Sequence, residues 1–149
     1  KSSSLKVRKL GEYAIHLVAT PQFARQYPIE HISDLAEIPW ITHSLLNWQD
    51  TEYFLQNNSG EKFELPLINS QYSSNSAELI HQMALASLGV AICPDWLVEE
   101  DIKHNRLIRL LPEFSLPKRN IQLLYPNTSN LPAKTRAFIE FLVGNISVK

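Results

Sequence analysis

The chain lacks the features that mark several common functional classes. Its 149 residues include one cysteine, Cys93, so no internal disulfide can form, and a reducing compartment is the simplest expectation. The apolar runs are short and interrupted, and none approaches the roughly 20 apolar residues of a membrane span. The first residues, KSSSLKVRKLGEY, lack the apolar core of a signal peptide. The sequence therefore predicts a folded cytoplasmic protein that does not interact with a membrane.

Charge and glycine content exclude further classes. Fourteen basic residues stand against fifteen acidic ones, and they form no basic stripe, so the chain by itself lacks the charge pattern of a nucleic-acid binder. Four glycines leave little room for a phosphate-binding loop, and there is no G-x-S-x-G, P-loop or G-x-G-x-x-G motif. We therefore predict no catalytic residues and no cofactor.

Neither a metal site nor a reactive thiol is predicted. The five histidines show no pair at the three- or four-residue spacing typical of metal ligands on one element, and there is no second cysteine. Cys93 follows a short apolar strand with no base beside it in the sequence, and buried cysteines usually act as small apolar residues. We expect Cys93 to pack in the core.

Strands alternate with helices along the chain, which predicts an α/β fold. Residues 13–19 form a nearly continuous apolar run typical of a strand buried on both faces, and Thr20 followed by Pro21 is a typical helix start. Other strands are expected at 40–43, 51–55, 62–67, 90–92, 107–111 and 121–125. Helices are expected at 22–27, 33–37, 76–88 and 94–105, and over a final segment capped by Asn130.

The most detailed predictions concern the two ends of the helix that follows residue 75. Asn75 is predicted to cap it, with Glu78 three residues later reaching back to the capping residue. Gly89 is predicted to end this helix in the left-handed conformation, and Gly144 to close the last helix.

A polar segment at the start of that helix is the best candidate for a binding site. Tyr72 to Ser76 place hydroxyl and amide groups where unpaired backbone N–H groups and the helix dipole favour an anion, although one of these residues would suffice as a plain cap. Thr42, His43 and Ser44 follow another strand, and Thr20 follows the first. Because ligands of open α/β sheets bind outside the carboxyl ends of strands, the three segments are expected to share one site.

Several weak motifs in order resemble the effector-binding half of a LysR-type transcriptional regulator. They are SSLKVRKLGEY, IHLVATPQFARQYP, ISDLAEIPWI, ALASLGVAICPDWLVEEDIKHNRLIRLLPEF and YPNTSNLPAKTRAFIEFLV. The resemblance implies a fold like type 2 periplasmic binding proteins, in which two α/β subdomains bind a small effector. It implies effector-binding positions at Thr20 and Pro21, at Thr42 to Ser44, and at Ser74, Asn75 and Ser76.

The resemblance also implies a domain organisation and partners. Residues 1–19 would be a crossover strand, residues 20–120 the second regulatory subdomain, and residues 121–149 a returning strand and helix of an incomplete first subdomain. We expect a piece of a longer homo-oligomeric regulator that binds a small, anionic metabolite and contacts DNA only through an absent N-terminal helix-turn-helix. The alternatives are a periplasmic-type solute-binding protein and an anion-binding enzyme domain.

The resemblance implies that the first half of the effector domain precedes residue 1. The strand and helix at the end of the chain would then lack their usual partners. The segment from Ile121 is expected to dock differently, to pair with another copy of the chain, or to cover apolar surface of the second subdomain. Apolar faces of Phe138 and Phe141 are expected to be exposed.

Overall fold

The computed structural model describes residues 5–46, 53–127 and 131–145. Its strands in these ranges are β1 (Leu5–Tyr13), β2 (Ile15–Ala19), β3 (Trp40–His43), β4 (Phe54–Gln56), β5 (Lys62–Glu64), β6 (Ser70–Ser74), β7 (Val90–Pro94), β8 (Ile108–Arg109) and β9 (Arg119–Pro126). The helices are α1 (Pro21–Gln26), α2 (Ala77–Leu85), α3 (Asp95–Lys103) and α4 (Ala133–Asn145), with a 3-10 helix at Ile32–Glu37. None of the described helices is long and apolar enough to span a membrane.

The structure divides into two compact units, one of Ala14–Pro117 and one of Lys1–Tyr13 with Lys118–Lys149. The family resemblance implies that residues 1–19 form one crossover strand, whereas the structure puts β1 in the second of these units and β2 within the sheet of the first. The buried side chains of Ile15, Leu17 and Val18 account for this, because they belong to the core of that sheet.

The Ala14–Pro117 unit is built on a five-stranded mixed sheet in the order β6-β3-β7-β2-β8. Strand β3 runs parallel to both β6 and β7, whereas β2 runs antiparallel to β7 and to β8. Helices α2 and α3 contribute to a core cluster with the central strands, formed by Val18, Ile41, Ile80, Ala84, Ala91, Cys93, Val98 and Leu107. Fully buried Trp40 donates from its indole N–H to the Leu35 carbonyl over 2.8 Å, which ties the 3-10 helix to β3.

The other unit contains β1 and β9, which form an antiparallel ribbon, together with α4. The segment from Ile121 pairs with β1 of the same chain, with Ile121 opposite Gly11, an arrangement that none of the three expected placements named. Phe138 and Phe141 are 58% and 59% exposed, which confirms the expected apolar surface. Gly144 lies inside α4 rather than after it, and the expected cap Asn130 lies outside the described residues.

The first helix and the hairpin follow the sequence patterns. Thr20 caps α1, since its hydroxyl accepts from the Phe23 N–H, and Pro21 occupies the first turn. Strands β4 and β5 form the expected hairpin, although residues 51 and 52 lie outside the described residues. The strand expected at 107–111 shortens to β8, because only Arg109 and Ile108 pair with β2.

Both ends of α2 differ from the prediction. Ser76, not Asn75, is the cap, and its hydroxyl accepts from the Leu79 N–H over 3.2 Å. At the other end Ser87, not Gly89, takes the left-handed conformation, with φ 64°. The Ser87 and Leu88 N–H groups bond to the carbonyls of Ala84 and Met83, which is the Schellman pattern.

Candidate functional site

Two of the three predicted site segments meet at one end of the sheet. Strands β3 and β6 are parallel, with Thr42 opposite Ser73 and His43 opposite Ser74, so their carboxyl ends lie side by side. The Ser44 N–H donates to the Ser74 carbonyl over 2.9 Å and extends the pairing beyond the strands. The structure thus brings Thr42–Ser44 and Ser74–Ser76 together, and we call these six residues the strand-end site.

The start of α2 leaves backbone donors at this site. The Ser74 hydroxyl accepts from the Ser76 N–H over 3.0 Å, and the Ser76 hydroxyl occupies the Leu79 N–H. Within the described residues, the N–H groups of Ala77 and Glu78 have no protein acceptor. Unpaired N–H groups at the positive end of a helix attract anions, so this end of α2 suits a carboxylate or a similar group.

Some polar side chains around these donors already form hydrogen bonds within the protein, and others do not. The Thr42 hydroxyl shares a 2.6 Å hydrogen bond with the Ser70 hydroxyl, and His43 Nδ1 accepts from the Leu45 N–H over 3.2 Å. Because Nδ1 accepts, the neutral His43 ring carries its proton on Nε2 and can donate there. In the described part of the chain, the exposed side chains of Ser44 and Asn75 have no hydrogen-bonding partner. His43, Ser44 and Asn75 can therefore bond a ligand without breaking the fold.

Thr20 and Pro21 lie at the opposite end of the sheet. Strand β2 is antiparallel to β7, and Val18 near its carboxyl end pairs with Ala91 near the amino end of β7. Thr20 is 3% exposed, and its hydroxyl accepts from the Phe23 N–H and bonds the Ser87 hydroxyl at 2.5 Å. The expectation that all three strand ends share one edge is wrong because it treats β2 as parallel. Thr20 instead joins the start of α1 to the end of α2.

A network around the buried side chains of His81 and Asp101, in the same unit, was not predicted from the sequence. His81 of α2 donates from Nε2 to Asp101 Oδ2 over 2.6 Å, and Arg106 donates from Nε to Asp101 Oδ1 over 2.6 Å. Burial alone would raise the pKa of Asp101, but the hydrogen bonds from Arg106 and His81 outweigh it and lower the pKa. The spacing of 20 residues between His81 and Asp101 gives no local signal, since a pair on two different helices has no periodic pattern.

Cys93 packs in the core as expected, with 1% of its surface exposed, and burial raises the pKa of its thiol to about 12. The thiolate is the reactive form, and at pH 8 it would be about 10⁻⁴ of the total. We expect no reaction of the native protein with a disulfide reagent such as Ellman's reagent over an hour at pH 8. One thiol per chain should react after unfolding in guanidinium. Rapid labelling of the native chain would contradict this burial.

Comparison with known proteins identifies the family. A family model described as the LysR substrate binding domain matches residues 1–146. The chain belongs to this family.

Relatives of this LysR domain are regulators of transcription. The HTH-type transcriptional regulator PtxR of Pseudomonas aeruginosa is 32% identical over 143 residues, which cover 95% of this chain and 45% of PtxR. The HTH-type transcriptional regulator DmlR of Escherichia coli K12 is 31% identical over 145 residues, which cover 93% of this chain and 45% of DmlR. The chain thus spans a little under half the length of these relatives. They are regulators rather than enzymes, in agreement with the prediction of a non-catalytic domain.

A solved LysR-type structure supports the fold. The regulatory domain of AphB from Vibrio vulnificus is 28% identical, with a TM-score of 0.76, over 98% of this chain and 71% of that one. The predicted α/β fold, like type 2 periplasmic binding proteins, is therefore confirmed. Among the described residues, no group of three His, Cys, Asp or Glu side chains could hold a metal ion.

Proposed function

We propose that this LysR domain senses a small anionic metabolite through the strand-end site. The observation that carries the proposal is the pairing of Thr42–Ser44 with Ser74–Ser76 at the carboxyl ends of two parallel strands, beside the unpaired N–H groups of Ala77 and Glu78. Backbone donors at a helix start and unused polar side chains are the groups that bind carboxylates. Thr20 and Pro21 form no part of the proposed site.

The proposal extends to the longer protein of which this chain would be the regulatory part. There, an N-terminal helix-turn-helix would bind DNA, the protein would be a cytoplasmic homo-oligomer, and the effector would alter DNA binding. We assign the second regulatory subdomain to Ala14–Pro117, and the first subdomain's returning strand and helix to β9 and α4. An effector can shift the equilibrium between two conformations of such a regulator only by its difference in affinity for the two conformations. Support comes from the family and from the length of the relatives, which have about as much sequence again.

Calorimetry of the full-length protein against a panel of mono-, di- and aromatic carboxylates tests the site. We expect Ser74→Ala and Asn75→Ala each to weaken binding by about three- to tenfold, since each removes one hydrogen-bonding group. Glu78 lies in the first turn of α2, so Glu78→Gln should strengthen the binding of an anion by roughly twofold by removing a like charge.

Ser59→Ala provides the matched control, because Ser59 lies exposed in the β4–β5 turn and its hydroxyl forms no hydrogen bond within the described residues. It should leave the affinity unchanged. An unchanged affinity in both Ser74→Ala and Asn75→Ala would remove the site. A ligand that binds equally well to the Glu78→Gln protein would show that the effector is uncharged.

A further inference from the structure

A groove at the opposite end of the sheet from the strand-end site has a cationic lining. It has a volume of about 590 Å³, within the range of small-molecule pockets. Its lining includes Thr20, Gln22, Arg25, Leu85, Asn105 and Arg106. Two arginines and two residues with amide side chains therefore line one open space, and no carboxylate of the described residues lines it.

Arg106 is held in place before any ligand arrives. Asn105 adopts the left-handed conformation, with φ 61°, and the N–H groups of Asn105 and Arg106 bond to the carbonyls of Ile102 and Asp101. This Schellman pattern fixes the backbone, and the bond from Nε to Asp101 Oδ1 fixes the side chain. Within the described residues, the two terminal nitrogens of Arg106 donate to no protein acceptor. A guanidinium fixed in this way loses less entropy when it binds an anion.

Arg25 supplies the net positive charge of the groove. The buried carboxylate of Asp101 balances Arg106 from behind, whereas in the described structure Arg25 is exposed and pairs with no carboxylate. Arg25 occupies the last turn of α1, and Gln22 lies one turn earlier on the same helix. Arg25 and Gln22 thus line the same groove as Asn105 and Arg106.

We infer that this groove is a second ligand site, which binds a small molecule bearing a carboxylate or phosphate group between Arg25 and Arg106. The site is separate from the strand-end site, because the two lie at opposite ends of the same sheet. A competing explanation is that the arginines only complement the carbonyl groups at the ends of α1 and α3, which favour nearby cations without a ligand.

Titration of the full-length protein with inorganic phosphate and with citrate, followed by calorimetry and by amide NMR, separates these explanations. We expect binding of at least one probe to shift the amide signals of Gln22 and Asn105. Arg25→Gln and Arg106→Gln should each weaken it by about tenfold or more, since each removes a charge-assisted hydrogen bond. Arg136→Gln, which changes an exposed arginine on α4, should leave the affinity unchanged.

The Ser74→Ala variant makes the test independent of the proposed effector site. The groove should bind its probe equally well in that variant. A loss of binding at the groove can therefore be told apart from a loss of binding at the strand-end site. If neither probe binds at concentrations up to about 10 mM, the inference is overturned. Binding that is unchanged in Arg25→Gln would also overturn it, because the arginines would then serve only the helix ends.

Discussion

Replacing Asp101 by alanine is expected to destabilise the protein by about 3 kcal/mol in urea unfolding. Asp101 is 8% exposed and accepts hydrogen bonds from both His81 and Arg106. Removing one member of a buried ion-pair network leaves its partners unpaired, which costs roughly 3–5 kcal/mol. We place the value at the lower end because the Arg106 side chain is 53% exposed and can turn to water.

The stability that Asp101 contributes should decrease as the pH falls. The pKa of Asp101 is lowered in the folded protein, chiefly because the hydrogen bonds from Arg106 and His81 exceed the opposing effect of burial. The unfolded chain therefore binds the proton more readily, and the contribution of Asp101 is complete above the ordinary carboxyl pKa of about 4. It is lost as the pH falls through the lower folded value. The stability difference between the wild type and Asp101→Asn should shrink as the pH falls below about 4.

Glu100→Ala is the matched control for Asp101→Ala, since Glu100 is the adjacent residue and its side chain is 69% exposed. Its removal should change the free energy of unfolding by no more than about 0.5 kcal/mol. Equal effects of the two substitutions would show that the His81–Asp101–Arg106 network does not stabilise the fold.

Gly89→Ala is expected to destabilise the protein by about 2 kcal/mol, although Gly89 does not adopt a left-handed conformation. A Cβ added at Gly89 would lie 2.9 Å from the Pro39 carbonyl oxygen and 3.2 Å from Ile41 Cγ1. The nearest atom belongs to the backbone, and the Pro39 carbonyl is held by the Val90 N–H at 3.1 Å. Overpacking of this kind costs typically about 1–3 kcal/mol, measured here as a shift of the urea midpoint.

Gly144→Ala is the control for Gly89→Ala, because it is not expected to destabilise the protein. Gly144 lies within α4, and a Cβ there would meet no atom of the described residues within 4 Å. Alanine favours a helix interior over glycine by about 1 kcal/mol, so this substitution should be neutral or stabilising. If Gly89→Ala is as stable as Gly144→Ala, the close approach of residue 89 to Pro39 does not exist.

Local patterns predicted the elements well where one residue type decides the outcome. Thr20 before Pro21 gave the start of α1, and the apolar runs gave β3 and β7 within a few residues. The cap of α2 was missed by one residue because Ser74, Asn75 and Ser76 are all good caps, and only the backbone geometry selects Ser76. Strand β6 was not predicted, since its sequence SQYSS is polar and exposed at the edge of the sheet.

Relations between distant elements could not be read from local patterns. The direction of β2 relative to β7 decides which strand ends share an edge, and no local signal reports it. Ser87 replaces the expected glycine at the end of α2, and its hydroxyl bonds that of Thr20, 67 residues away. This contact offers a reason for a serine at a left-handed position, where glycine is usual. The His81–Asp101 pair likewise depends on how two helices pack.

The central claim is that an anionic effector binds where the ends of β3 and β6 meet the start of α2. Amide NMR of the full-length protein, titrated with the carboxylate that binds most tightly in calorimetry, tests this claim most directly. We expect the largest shifts on residues 42–44 and 74–78. Saturable binding that leaves these amides unmoved would contradict it.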